Sequence, residues 1–86
     1  MMNFIITGRK VEVTDGLRER IHKRLGKLEK YFKDDPEVRI TLSVVKGRHT
    51  IEVTIYSKGV IYRAEETDVD MYAAIDQVVD VIERQM

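Results

Sequence analysis

The residue types able to do covalent or metal chemistry are few in this chain and nowhere grouped. Cysteine is absent, which removes thiolate nucleophiles, disulfides and cysteine-based zinc sites. The two histidines, His22 and His49, fall in separate segments. Neither belongs to a His-x-x-x-His pair or to a carboxylate cluster with metal-binding spacing, so each reads as an ordinary surface side chain. Gly8, Gly16, Gly26, Gly47 and Gly59 stand singly and make no phosphate-cradling loop. Asp34-Asp35 and Glu65-Glu66 are adjacent pairs, but neighbours on a strand face opposite ways and loop pairs are solvated. Tyr31, Tyr56, Tyr62 and Tyr72 suit packing better than base stacking. No enzyme, metal or cofactor is implied.

One class of side chain is clustered. Arg20, Lys23, Arg24, Lys27 and Lys30 follow one another at helical spacing. On a wheel with Leu17 at zero they occupy one flank, from about 220° to about 340°, while the apolar stripe centres near 40°. The whole chain is neutral, with 15 basic and 15 acidic side chains. Residues 1–33, however, hold nine basic and four acidic groups, residues 34–69 five and seven, and residues 70–86 one and four. Like charges on one flank repel, a cost that solubility alone does not require. A row of cations at steps of roughly 5–6 Å suits a nucleic-acid backbone, where each neutralised phosphate releases counterions. The Lys46-Gly47-Arg48-His49 tip adds Arg48 as a further basic point. The reading is of a polar molecule with a basic ridge and an acidic back.

The elements that must position these residues are legible from periodicity. Asn3 to Thr7 reads as a first strand, ended by Gly8-Arg9-Lys10 and continued by Val11-Glu12-Val13. Thr14 stands at an N-cap position with Asp15 in the first turn. Leu17, Ile21, Leu25, Leu28 and Phe32 then predict one α-helix through about Phe32. Gly26 within it is either a tolerated small residue or a point of close approach. After the loop at Pro36, Val38, Ile40, Leu42 and Val44 alternate with polar residues as a strand, Lys46-Gly47-Arg48 turns, and Ile51, Val53 and Ile55 return. Ser57-Lys58-Gly59 turns again into a strand from Val60 to Glu66. Thr67-x-x-Asp70 has the form of a capping box, followed by a helix in which Met71, Ile75, Val78 and Ile82 recur, running to Met86, with Asp76, Asp80 and Glu83 on its wet side. The order β-α-β-β-β-α predicts an α+β two-layer sandwich: an antiparallel meander in a four-stranded sheet, with two helices packed on one face.

Eighty-six residues make one domain, 1–86, with one core. No stretch approaches the roughly 18 apolar residues of a membrane span, and the N-terminus lacks the form of a signal peptide. The expectation is a soluble, cytoplasmic protein without a membrane partner.

Several segments resemble the ribosome hibernation promoting factors and the related ribosome-associated inhibitor. They are Met2-Asn3-Phe4-Ile5-Ile6-Thr7-Gly8-Arg9, Thr14-Asp15-Gly16-Leu17-Arg18, Lys27-Leu28-Glu29-Lys30-Tyr31-Phe32 and the hairpin Lys46 to Thr54. The most specific are Arg63-Ala64-Glu65-Glu66, Asp70-Met71-Tyr72-Ala73-Ala74-Ile75-Asp76 and Glu83-Arg84-Gln85. The resemblance covers essentially the whole chain. It implies a fold similar to double-stranded-RNA-binding domains, with no catalysis. The implied partner is the small ribosomal subunit, meaning its ribosomal RNA and adjacent ribosomal proteins and not DNA. The implied site is the decoding region between head and body, on the path of messenger RNA and of A- and P-site transfer RNA. Carried over by position, RNA contacts fall to Lys23, Lys27 and Lys30 on the first helix and Arg84 on the second, with Arg20 and Arg24 flanking. Family members usually carry lysine where this chain has Val81, and a basic run beyond the position of Met86.

The last helix has no Gly or Pro stop, and the form of Asp70-Met71-Tyr72-Ala73-Ala74-Ile75-Asp76 resembles the long-form factors, so the chain reads as the N-terminal domain of one; Met1, ahead of the family's usual start, reads as an added or alternative start. Pairing of ribosomes would then belong to a C-terminal domain outside it. Two alternative readings belong to other classes of protein. In a protein-interaction module the basic helix would dock an acidic protein partner. A small hydrolase of the acylphosphatase type needs a phosphate loop with an arginine and a water-orienting asparagine, and the only asparagine is Asn3.

Overall fold

A computed structural model of the chain describes residues 2–86; Met1, read as an added or alternative start, lies outside the described residues. The elements are β1 (Asn3–Arg9), α1 (Asp15–Leu25), a 3₁₀ helix (Gly26–Tyr31), β2 (Glu37–Val45), β3 (Arg48–Ser57), β4 (Val60–Asp68) and α2 (Met71–Glu83). The order is that expected from the sequence, and the strands form one sheet in the order β1-β2-β3-β4.

The sheet is mixed: the expected antiparallel meander has a parallel strand added at one edge. β1 runs parallel to β2, with Phe4 beside Val38 and Ile6 beside Ile40, while β2, β3 and β4 form the antiparallel meander. The reason is the connection: a strand that leaves its sheet through a helix and returns beside itself pairs parallel, whereas the two later links are two-residue turns that force antiparallel pairing. Those turns have both central residues at positive φ, Lys46 with Gly47 and Lys58 with Gly59, the type I′ conformation that matches strand twist.

Alternation sends Val38, Ile40 and Leu42 of β2 and Ile51, Val53 and Ile55 of β3 to one face, where all six are buried. Leu17, Ile21 and Leu25 of α1, Leu28 of the 3₁₀ helix, and Met71, Ile75, Val78 and Ile82 of α2 cover that face in a single cluster. The opposite face is open and carries Ile5, Arg39, Tyr56 and Ile61.

Three boundaries differ from expectation. The α-helix stops at Leu25 and the chain tightens into 3₁₀ geometry, so Phe32 lies beyond the helical stretch in extended conformation and packs edge-on against Tyr62 at 5.8 Å. Leu25 and Leu28 are three apart and both fully buried, a spacing that 3₁₀ geometry eclipses. A Cβ at Gly26 would meet nothing within 4 Å, so no other part of this chain approaches the glycine closely. The capping box is the second correction. Thr67 belongs to β4 and its hydroxyl pairs with that of Thr50 at 2.8 Å, while Asp70 itself caps α2 by accepting from the Tyr72 N–H at 3.1 Å. Third, α2 ends at Glu83 and Arg84 to Met86 follow outside it. Thr14 caps α1 as expected, accepting from the Leu17 N–H at 3.2 Å. Among the described residues no helix is long and apolar enough to cross a membrane.

Candidate RNA interface

The helical layer has a direction. The Tyr72 hydroxyl lies over Gly16, close enough that a Cβ there would come within 2.6 Å of it. One turn on, Arg20 reaches Asp76, and at the far end the Tyr31 hydroxyl donates to Glu83 at 3.0 Å. Each step along α1 therefore meets a later step of α2, and the two helices run side by side in the same sense. Both N-termini sit at the β2–β3 hairpin end, where Thr14, Leu17, His49, Asp70 and Tyr72 line one cleft.

On this frame the candidate cations fall along one line. Lys23, Lys27 and Lys30 are exposed and Arg20 and Arg24 are half-buried. The 3₁₀ geometry sharpens the ridge beyond the sequence expectation: residues three apart eclipse, so Lys27 and Lys30 stack at one azimuth where an α-helix would rotate them about 60° apart. From Arg20 to Lys30 the line is about 18 Å long, taking 1.5 Å per α and 2.0 Å per 3₁₀ residue. Arg84 stands at the end of α2 beside this line's far end, since Tyr31 bonds the adjacent Glu83. Arg48 opens β3 at the other end. There the Asp68 carboxyl is held below its usual range by a hydrogen bond from the Gln77 amide at 2.8 Å and from the Asp70 N–H at 3.1 Å, with the charge of Arg48 a smaller contribution.

The acidic residues are not at the back. Asp76, Asp80 and Glu83 line a groove of about 230 Å³ between the helices, together with Arg24 and Lys27. The wet side assigned to α2 thus faces the basic flank of α1 directly. Arg20 Nη1 donates to Asp76 Oδ2 at 3.2 Å and lies 3.4 Å from Oδ1. Arg24 Nε is 3.1 Å from Asp76 Oδ1. The Arg24 Nε–H makes no aligned hydrogen bond, so its contact is an ion pair alone. The three side chains are between 32% and 41% exposed, which puts each bridge at about 0–1 kcal/mol. Arg20 also lies 5.0 Å above the ring centre of Tyr72, and the Lys30 ammonium 5.3 Å from that of Tyr31.

Three participants escaped the sequence reading: Asp76 as counter-ion, Tyr72 as platform for Arg20, and Tyr31 as tie to Glu83. The available signal was the i, i+4, i+8, i+11 series Tyr72, Asp76, Asp80, Glu83, one flank of α2 next to its apolar stripe. The histidines stay apart. His22 is exposed on α1 with its ring edge-on to Phe4 at 4.6 Å, and His49 is half-buried on β3. Among the described residues no group of His, Asp or Glu could hold a metal ion.

Fold and surface together define a class: an α+β domain whose helical layer carries a file of cations beside an acidic groove. Residues 4–86 match the family described as sigma 54 modulation protein / S30EA ribosomal protein. The chain is 45% identical to the ribosome hibernation promotion factor of Lactococcus lactis subsp. cremoris (strain MG1363) across all of its own length. To the ribosome hibernation promoting factor of Escherichia coli (strain K12) it is 40% identical, over 99% of this chain and 90% of that protein. The crystal structure of the Thermus thermophilus protein Y N-terminal domain superposes with a TM-score of 0.90 at 35% identity, covering 98% of this chain and 94% of that one. A ribosomal subunit interface protein from Coxiella burnetii shares the fold, with a TM-score of 0.85 at 21% identity. The chain belongs to the sigma 54 modulation protein / S30EA ribosomal protein family. It spans about half, 48%, of the length of the L. lactis factor and of the Deinococcus radiodurans factor.

Proposed function

We propose that this domain is a ribosome hibernation module that binds the small ribosomal subunit through ribosomal RNA phosphates and inhibits translation by occupancy, without catalysis. The observation that carries the reading is the file of cations: Lys23, Lys27 and Lys30 exposed along one flank, with Lys27 and Lys30 eclipsed. Such a file neutralises consecutive phosphates of one backbone and releases their counterions. Arg20 and Arg24 flank it, and Arg48 and Arg84 extend it at its two ends. The names of the relatives support ribosome hibernation as the process. In this reading the domain sits in the decoding region between head and body, over the path of messenger RNA and of A- and P-site transfer RNA, in contact with adjacent ribosomal proteins. It acts in the cytoplasm during stationary phase or stress. Residues 1–86 form one ribosome-binding domain, and pairing of ribosomes is left to sequence outside it.

Competition tests the placement. Small subunits loaded first with the domain should bind a messenger RNA fragment and P-site transfer RNA poorly in a sedimentation assay, and excess of both should displace the domain. Stable co-sedimentation of all of them on one subunit would contradict occlusion.

A further inference from the structure

We propose that Asp76 is a specificity-determining residue: its carboxylate competes with RNA phosphate for Arg20 and Arg24, so that the ridge closes fully only on RNA that offers phosphates to both arginines while the lysines are also engaged. This inference rests on reading the ridge as an RNA surface.

Its basis is one carboxylate shared between two guanidinium groups. Asp76 Oδ2 accepts from Arg20 at 3.2 Å and Oδ1 lies 3.1 Å from Arg24 Nε. The trio carries a net charge of +1 where the two arginines alone would carry +2. All three side chains keep about a third or more of their surface in water, and the buried Arg24 Nε makes no hydrogen bond in the pair, so the contacts are weak enough to be exchanged. It is nevertheless intramolecular. The carboxylate is present at an effective concentration that a single, loosely held phosphate cannot match, whereas a rigid array of phosphates acts from an equally fixed position. Arg20 keeps its place when the carboxylate is exchanged, because it lies on the Tyr72 ring, which is packed against Gly16. Rigid RNA of the right spacing thus gains two arginine contacts, and unstructured RNA meets mainly the exposed lysines. Discrimination comes from a built-in competitor for the wrong ligand as much as from attraction to the right one.

The test compares wild type with Asp76→Asn and Arg24→Gln, each checked for folding by thermal melting, on isolated small subunits and on a mixed-sequence single-stranded RNA over a salt series. Asp76→Asn should bind the single-stranded RNA about tenfold more tightly near 0.1 M salt, with a log–log salt slope steeper by about 1.4, as two added contacts at roughly 0.7 each require. Arg24→Gln should weaken small-subunit binding several-fold and leave single-stranded RNA binding within about twofold, since that arginine is occupied in the free domain. Unchanged single-stranded RNA affinity in Asp76→Asn, or equal losses on both ligands in Arg24→Gln, would overturn the role of Asp76 while wild type still binds subunits in a salt-dependent way. Wild type without salt-dependent subunit binding would overturn the RNA-surface reading itself, and the inference with it.

Discussion

Replacing Lys23, Lys27 and Lys30 together by Glu is expected to abolish co-sedimentation with the small subunit, with affinity falling about a thousandfold or more at moderate salt. Three phosphate contacts would be lost, each worth nearly one power of the salt concentration, and three repulsions would be added. The lysines are the right choice because all three are exposed and not part of the core, so their substitution leaves the fold in place. The largest local loss is the cation–π contact of Lys30 with Tyr31, of the order of 0.5–1 kcal/mol at an exposed site. A glutamate at position 27 would also face Asp76, Asp80 and Glu83 across the interhelical groove. Retained small-subunit binding by a folded triple variant would contradict the phosphate ridge and favour instead a module whose basic helix docks an acidic protein partner.

The second large effect is on stability. Leu28 is fully buried on the 3₁₀ helix, directly between Lys27 and the Glu29-Lys30 pair. Leu28→Ala should destabilise the domain by about 2–5 kcal/mol through lost transfer energy and the cavity left behind. A chain of this size holds about 4–13 kcal/mol in total, so the loss is a large fraction of it. With about 4–8 °C per kcal/mol, the melting temperature should fall by at least about 8 °C, measurable by circular dichroism. Leu28 is also the residue that anchors the tight turn to the core. Loosening it frees Lys27 and Lys30 from their common azimuth, so subunit binding should weaken even where the variant is still folded. A shift of only a few degrees would mean that the 3₁₀ segment is not held by this side chain.

These two substitutions also mark what the sequence could and could not reveal. The buried faces of β2 and β3 were legible because alternation has a period of two and the turns carry glycine at the required positive φ. The direction of β1 was not, since Phe4 and Ile6 alternate identically whether the partner strand runs parallel or antiparallel. The 3₁₀ segment was hidden because Leu25 and Leu28, three apart, fit an α-helical stripe and a 3₁₀ stripe equally well. Thr67 looked like a cap, but its hydroxyl had a cross-strand partner in Thr50 that no local window could show. The basic flank was visible from spacing alone. Its counter-ion was not: polarity shows that Asp76 lies off the apolar stripe, and only the packing of two parallel helices decides whether water or two arginines lie beyond it.

If, as we propose, a file of cations on α1 and the 3₁₀ helix holds ribosomal RNA by its phosphates, the domain's affinity for isolated small subunits must depend steeply on salt. With about five phosphates engaged, log K should fall linearly against log salt with a slope of roughly −3.5 to −4.5. A slope near zero, with binding intact, would contradict the phosphate ridge.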